Sequence, residues 1–567
     1  MNAEHHTACA SSTNANGWHQ IDWTKQNRNV RRLQARIVKA TEEGRWGKVQ
    51  ALQWLLTHSF SGKTVAVRRV SENKGRKTPG VDGATWPTPK EKAAAITSLK
   101  RRGYKPQPLR RIYIPKANGK LRPLGIPTMK DRAMQALYLL ALDPVSETTA
   151  DKNSYGFRKA RSAHDALEQC FKVFGKASKS AQWVLEADIE GCFDNISHEW
   201  MMTNIPLDKG ILRKWLKAGF VENRALHATT AGTPQGGIIS PTLANMVLDG
   251  LEHHIASHFR KRKQGGKVID PKINLVRYAD DFVISGASQE VLEQVRETVV
   301  EFLRERGLRL SVEKTKIVHI SEGFTFLGQN VRMFGDKLLI TPSKRALVGI
   351  YDKVREIVTR NKSVEQRDLI RMLNPVIQGW VNYHRHAVSS VAFSKLDRLI
   401  WQLLWQWAVR RHRNKGKTWI RNRYWRRLGT RDWTFACEVD SERGWRVSSL
   451  VYATNTKIKR HVKVSADVNP YASKWSEYLA ERHVLTGANS LNGRVRLLNL
   501  WMAQEGRCLE CNGPINRETG WDVHHTVRSS DGGSDRKSNL RLLHRVCHLK
   551  LHANSDRFAA GSVAKQA

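Results

Sequence analysis

Apolar residues recur at helical spacing twice near the start of the chain, as Val30, Leu33 and Ile37 and then as Val49, Leu52 and Leu56, so two helices are expected within residues 25–60. Residues 71–83 carry Lys74-Gly75, Thr78-Pro79-Gly80 and Asp82-Gly83, the chemistry of a loop. Two apolar stretches within 109–126 flank Asn118-Gly119, a hairpin signal, and Pro115 restricts its strand to an edge. A helix over 130–142 follows. From there to residue 328, short β-rich runs (183–189, 273–278, 282–285) alternate with helical segments (162–174, 242–258, 288–306), which reads as a mixed sheet with helices packed on it. Residues 343–410 read as helical, and 396–408 are apolar nearly all round, as in a helix buried in a larger assembly.

Composition widens this picture. At 567 residues the chain is too long for one core. Lys and Arg total 95 against 52 Asp and Glu, a formal charge of +43. Nucleic acid is the partner that rewards such an excess, because each phosphate contact releases counterions. No apolar run reaches spanning length, so a membrane is not expected as partner. Between Arg410 and Arg427 nine of eighteen residues are Lys or Arg, interleaved with Trp419, Tyr424 and Trp425, a mixture that can hold phosphates and stack bases. The alternative is a solvated basic face over a Trp-filled core. The first 24 residues hold no Lys, Arg or apolar core, so a disordered tail is expected there, with neither secretory signal nor transit peptide. The localisation this suggests is cytoplasmic, in a bacterium.

Two clusters carry candidate chemistry. Asn274 to Ser285 is two apolar strands around a turn bearing Asp280 and Asp281. Adjacent carboxylates repel, so they need either a plain polar turn or a divalent cation to justify them. Phosphoryl transfer on two metals requires carboxylates from more than one strand, and the apolar run Trp183–Ile189 supplies Asp188. Near the C-terminus, Cys508-x-x-Cys511 precedes His544-x-x-Cys547, a spacing that suits a structural tetrahedral zinc in a reducing compartment. His524, His525, Asn539, His548 and His552 thread the same stretch, with His548 and His552 on one helical face.

The first cluster, with its surroundings, resembles the reverse transcriptases. Arg111-Ile-Tyr-Ile-Pro-Lys116, Arg122-Pro-Leu-Gly-Ile-Pro127, Ser154-Tyr-Gly-Phe-Arg158, Ala187-Asp-Ile-Glu-Gly-Cys-Phe-Asp-Asn-Ile196, Gly232-Thr-Pro-Gln-Gly-Gly237, Tyr278-Ala-Asp-Asp281, Glu313-Lys-Thr-Lys316 and Phe326-Leu-Gly328 fall in that family's order. Thr78-Pro-Gly-Val-Asp-Gly83 before them and Asn374-Pro-Val-Ile-Gln-Gly-Trp-Val-Asn-Tyr383 after them are similar to the group II intron-encoded branch. The resemblance implies that Asp188, Asp280 and Asp281 hold two Mg²⁺ ions. It implies that Phe193 sits under the sugar and excludes a 2′-hydroxyl, that Lys116 and Arg122 contact the incoming triphosphate, and that Gln235 lies beside nucleotide and template.

The C-terminal cluster resembles the HNH nucleases. That implies His524, His548 and His552 as ligands of one divalent ion, His525 as general base, Asn539 as orienter of the water, and Cys508, Cys511, His544 and Cys547 around a structural Zn²⁺. His544 stands where many members have Cys, and Thr526-Val527-Arg528 replaces the commoner Ile-x-Pro.

The expected architecture is therefore an α+β multidomain chain. It comprises a right-hand polymerase (fingers, a palm with a mixed or antiparallel sheet, a helical thumb) and a small zinc-containing ββα-metal nuclease domain. The expected divisions are a tail (1–24), fingers and palm (25–340), thumb or maturase region (341–450), a basic DNA-binding region (451–503), the nuclease (504–555) and a second tail (556–567). The expected function is a group II intron-encoded RNA-directed DNA polymerase that assists splicing and nicks target DNA to prime its own copying. Its expected partners are intron RNA, target DNA and deoxynucleoside triphosphates. The competing reading is an RNA-binding splicing factor without polymerase activity, and the presence of all three acids weighs against it. A polymerase from a defence or diversity-generating system is disfavoured by residues 374–383 and the nuclease-like tail. The sequence leaves the oligomeric state open.

Overall fold

The computed structural model describes residues 17–551, apart from 116–118, 120, 178, 234, 265–266, 441–445, 483–494, 516–520, 528–530, 535, 546 and 549–550. Its centre is a four-stranded antiparallel sheet in the order Lys316–His319, Trp183–Asp188, Asp281–Gly286, Asn274–Tyr278. Both faces are covered, which is why these strands read as continuous apolar runs. Leu185, Ala187, Phe282 and Ile284 face one core, shared with the helices Met129–Thr149, Ser240–Leu248 and Gln289–Arg304. Val184, Val276 and Val283 alternate with them and face a second core, closed by the helix Ala163–Phe174 and the hairpin strands Phe324–Phe326, Gln329–Phe334 and Lys337–Pro342. The four strands pair antiparallel, and a single parallel bridge from Ser154 to Arg277 adds to the Asn274–Tyr278 edge. Parallel pairing occurs in the fingers sheet, where Leu109 and Arg110 meet Phe220 and Val221. That pairing stops well before Pro115, which has a partner only in Leu121 and so lies where the strand is locally an edge.

Several expectations are corrected. Residues 17–24 are not tail: Gly17–Gln20 is a helical turn, and Trp18, Ile21 and Trp23 are buried in the large core that also holds Val67, Tyr104 and the palm residue Leu185. Large rings anchor a short segment that has no periodicity to show it. Residues 1–16 and the 556–567 tail lie outside the described residues. The helix expected to end at 142 runs to Thr149, through Pro144. Proline removes the N–H that would satisfy the carbonyl four residues back. Here that carbonyl, on Leu140, accepts instead from Gln34 Nε2 at 2.8 Å. The helix expected over 242–258 is broken into Ser240–Leu248 and Leu251–His258 at Asp249 and Gly250, with Gly250 at φ +93°.

The thumb contains the expected helices Lys344–Arg360, Gln366–His384 and Ser390–Arg411, followed by an unexpected antiparallel sheet of Trp425–Leu428, Arg431–Val439 and Arg446–Ser449. Tyr424 and Trp425 are buried against Trp407 and Phe435. They are core rings, unavailable for stacking on bases, whereas Trp419 is exposed. Part of residues 451–503, expected to form a basic DNA-binding region, runs as a strap over the palm. Val464 and Val468 are buried there, and Arg161 donates to the Val468 carbonyl at 2.7 Å. Asp165 anchors the strap, accepting from the Val464 N–H at 2.8 Å and pairing with His461 at 2.9 Å. Burial opposes a charge on Asp165, but hydrogen bonds from His461 and Ser162 win and hold it down at about 2. Among the described residues no helix is long and apolar enough to cross a membrane.

Candidate active sites

In the palm, backbone register brings the acids together. Asp188 ends one strand directly opposite Asp281, and Asp280 occupies the turn just before it. Ala279 has φ +59°, a left-handed conformation that costs a β-carbon strain. What holds it is close packing from behind. The segment 153–155 hydrogen-bonds along the Asn274–Tyr278 strand, with Tyr155 N–H to Arg277 O and Arg277 N–H to Asn153 O both 2.9 Å. Gly156 then presses on the turn so tightly that a β-carbon there would lie 2.2 Å from Ala279 N. Gly156→Ala must therefore displace the turn that carries two acids. A displacement of about 1 Å at reacting groups costs roughly 10²-fold. Primer extension should fall by about that factor while DNA nicking persists, and rates of the two reactions in the same preparation check this.

Arg277 is fully buried in this strand and pairs with Asp249, the residue that breaks the helix described above. Its Nη1 also reaches Asn245 Oδ1 and Ala279 O, each at 3.4 Å. Sequence reasoning missed Arg277. Its signal was a lone arginine inside an apolar strand.

The acids crowd one another. Burial, then Asp188, Asp280 and Glu186, push Asp281 up to about 7. Burial, and after it Asp188, also raise Asp280, against the opposing pull of a backbone hydrogen bond, Arg122 and Lys314. Lys314 was quoted in the sequence without a role. The turn that carries it is tied to the palm by Ser311 N–H to Asp188 O at 2.8 Å, and its Nζ lies 2.6 Å from Asp188 Oδ2. A set of hard oxygen donors that repel one another calls for cationic charge, which suits divalent metal ions.

The flanking segments are placed around this point. Phe193 lies on the one-turn helix Cys192–Asn195, its ring 6.2 Å from Phe157. Its carbonyl accepts from the Thr233 N–H at 2.7 Å, and Gly232 packs so closely that a β-carbon would lie 2.6 Å from that same oxygen. Gln235 O accepts from the Gly125 N–H at 2.7 Å, joining the Gly-rich segment to the finger hairpin. Arg122 is exposed on that hairpin, and Lys116 lies outside the described residues.

At the C-terminus Cys508, Cys511, His544 and Cys547 gather with ligand atoms all within 4.8 Å of one another. His544 Nδ1 faces Cys511 Sγ at 3.1 Å, while its Nε2 sits 3.0 Å from Pro514 O, a backbone bond of the kind that orients a ligating imidazole. Burial opposes a charged His544, but hydrogen bonds to Cys508 and Cys511 override it and raise His544 to about 10. Hydrogen bonds from Cys511 and Cys547 pull the Cys508 thiol far below its ordinary range. A thiolate-forming set closed on all sides fits zinc. The core beneath it includes Leu500 and Trp501 of the helix Val495–Ala503, so this packed unit begins before the expected boundary at 504.

Beside it, the strands Asp522–His525 and Leu540–Leu543 pair antiparallel. The His524 and His548 rings lie 5.2 Å apart, and His548 Nδ1 is 3.4 Å from Asp522 Oδ2. Asp522 went unnoticed in the sequence, although it shares a strand face with His524 by the two-residue period. His552 lies outside the described residues. Asn539 is tied to backbone. Its Oδ1 accepts from the Val527 N–H at 2.7 Å, and its Nδ2 donates to Val527 O at 2.9 Å and Ser534 O at 2.7 Å. Both amide hydrogens are committed to the loop after His525, so Asn539 holds that loop in place. Because it grips backbone, Thr526 and Val527 satisfy it as well as other residues would.

Family models match four stretches: the N-terminal domain of reverse transcriptase over 18–99, reverse transcriptase (RNA-dependent DNA polymerase) over 114–331, the group II intron maturase-specific domain over 348–425 and HNH endonuclease over 508–554. The group II intron-encoded protein LtrA of Lactococcus lactis subsp. cremoris is 28% identical, across 84% of this chain and 90% of that protein. Protein YkfC of Escherichia coli is 34% identical, across 47% of this chain and 79% of that protein. A telomerase from Candida albicans aligns at TM-score 0.32 and 13% identity over 56% of this chain and 64% of that one, too loosely to carry an argument.

Proposed function

This chain belongs to the group II intron-encoded reverse transcriptases with maturase and HNH endonuclease domains, and from that premise we propose how its sites divide one sequence of reactions. The nuclease nicks one strand of target DNA, and the 3′-hydroxyl so made primes copying of the bound intron RNA in the palm. The thumb and fingers hold that RNA and assist its splicing.

In the palm, Asp188, Asp280 and Asp281 hold two Mg²⁺ ions. Bound there, these ions would activate the primer hydroxyl and stabilise the departing pyrophosphate. Phe193 supports the sugar and disfavours a 2′-hydroxyl, Arg122 and Lys116 meet the triphosphate of the incoming deoxynucleotide, and Gln235 lines its pocket. In the nuclease, His524, His548 and His552 hold a divalent ion that would stabilise the departing 3′-oxygen. His525 takes the proton from the attacking water, since a neutral imidazole is a suitable base near pH 7. Asn539 keeps the His525 loop in place, and Cys508, Cys511, His544 and Cys547 carry Zn²⁺.

The observation that carries this reading is the pairing of Asp188 with Asp281 in the palm of a chain that also carries the Cys/His unit and its flanking histidines. His525→Ala should abolish nicking and leave extension of a supplied primer intact. Both are read on gels with an end-labelled DNA and an RNA template. Undiminished nicking by that variant removes His525 as the base. Absence of deoxynucleotide incorporation by the parent protein would favour a splicing factor.

A further inference from the structure

A cleft of about 2320 Å³ lies away from the palm acids, between the helix Trp23–Glu42, the strap and the nuclease unit. One wall is lined by Arg28, Arg31, Arg32 and Arg36. Their spacing places them on one face of that helix, and all four are exposed, while Val30, Leu33 and Ile37 on the other face are buried. The lining also includes Arg507 and Trp521 of the nuclease unit, the latter adjoining the strand that bears His524 and His525.

The fold uses other arginines as internal ties: Arg277 on Asp249, and Arg158 and Arg161 on Glu147. These four are different. None has an ion-pair or hydrogen-bond partner among the described residues. Like charges at i, i+4 destabilise a helix, and Arg28, Arg32 and Arg36 repeat that arrangement twice. A row of uncompensated guanidinium groups facing a cleft is complementary to a polyanion. Arg28 to Arg36 spans roughly 12 Å of helix axis at 1.5 Å per residue, which matches three to four phosphates of one DNA strand at about 3.4 Å each.

We infer that this cleft is the seat of the target DNA, with the four arginines neutralising its phosphates and leading it to the nuclease strand. The choice of DNA rests on the nuclease reading above, because that unit also lines the cleft.

The test uses the full-length protein with a short mixed-sequence DNA duplex and an RNA duplex of equal length, titrated between about 50 and 200 mM salt. Arg28→Gln, Arg31→Gln, Arg32→Gln and Arg36→Gln together should flatten the salt slope of DNA binding by about 3–4, near 0.9 per lost phosphate contact. Four Arg→Lys replacements keep the charge and should restore the slope, which separates lost charge from lost folding. An unchanged DNA slope in the Gln variant overturns the proposal. So does a loss confined to the RNA duplex, which would make this an RNA surface. If the parent fails to nick while the Gln variant still loses DNA slope, the nuclease reading falls and the DNA cleft stands.

Discussion

Asp280→Asn should lower deoxynucleotide incorporation on an RNA template by about 10³-fold or more, equivalent to ~4 kcal/mol of transition-state stabilisation. The substitution keeps the shape of the side chain and removes one negative oxygen donor from a set of three. Its two partners do not make up the loss, since Asp188 is also engaged by Lys314 and Asp281 is raised to about 7 by burial and by Asp188, Asp280 and Glu186. The same change relieves repulsion in a half-buried cluster, so the melting temperature should hold steady or rise. DNA nicking should be unaffected, because that chemistry is assigned to the histidines of a different core. Single-turnover primer extension, a thermal melt and a nicking assay on one preparation separate these outcomes. Extension within tenfold of the parent would mean that Asp280 is not a metal ligand. Loss of extension together with a collapsed melt would mean that the residue serves the fold.

Removing the metal from the Cys/His unit should have an effect of comparable size confined to the other activity. The hydrophobic core there is small: Leu500, Trp501, Ile515, Leu540, Leu542 and Leu543 with two of the cysteines. Cores of that size seldom hold a fold without a metal or disulfide. Structural zinc contributes ~10–16 kcal/mol of apparent folding free energy in zinc-finger peptides, more than such a core supplies. Cys547→Ser, or exhaustive chelation, should therefore unfold the unit, abolish nicking and expose 495–551 to protease, while primer extension continues. His544→Cys should retain zinc and nicking, because sulfur suits the same tetrahedral site. Zinc content, protease mapping and nicking check the set. Full nicking by zinc-free protein would show that the four residues merely pack.

Both expectations concern residues that were legible from local pattern. Cys508-x-x-Cys511 and His544-x-x-Cys547 are each a short ligand pair, so coordination geometry is written into the spacing. The acids sit at the ends of apolar runs that can only be buried strands. Arg277, Lys314 and Asp522 were not legible as parts of a site. Each acquires its place from a partner distant in the chain: Asp249, the Asp188 carboxylate, and His548. The backbone partners of Asn539 were likewise not legible, because they belong to a loop that only the fold brings to it.

The fold divides in the same way. Hydrophobic pattern alone determined most of the helices and three of the four palm strands, since burying apolar surface is a local requirement that each segment declares by itself. Motif order determined the family. What only the tertiary structure decided were features satisfied by a remote group. The Leu140 carbonyl freed by Pro144 finds Gln34, the helix break at Asp249 finds Arg277, and Tyr424 and Trp425 find a core instead of a nucleic acid. A polar or aromatic side chain has several acceptable environments, and the chain specifies which one it meets only after distant segments have packed.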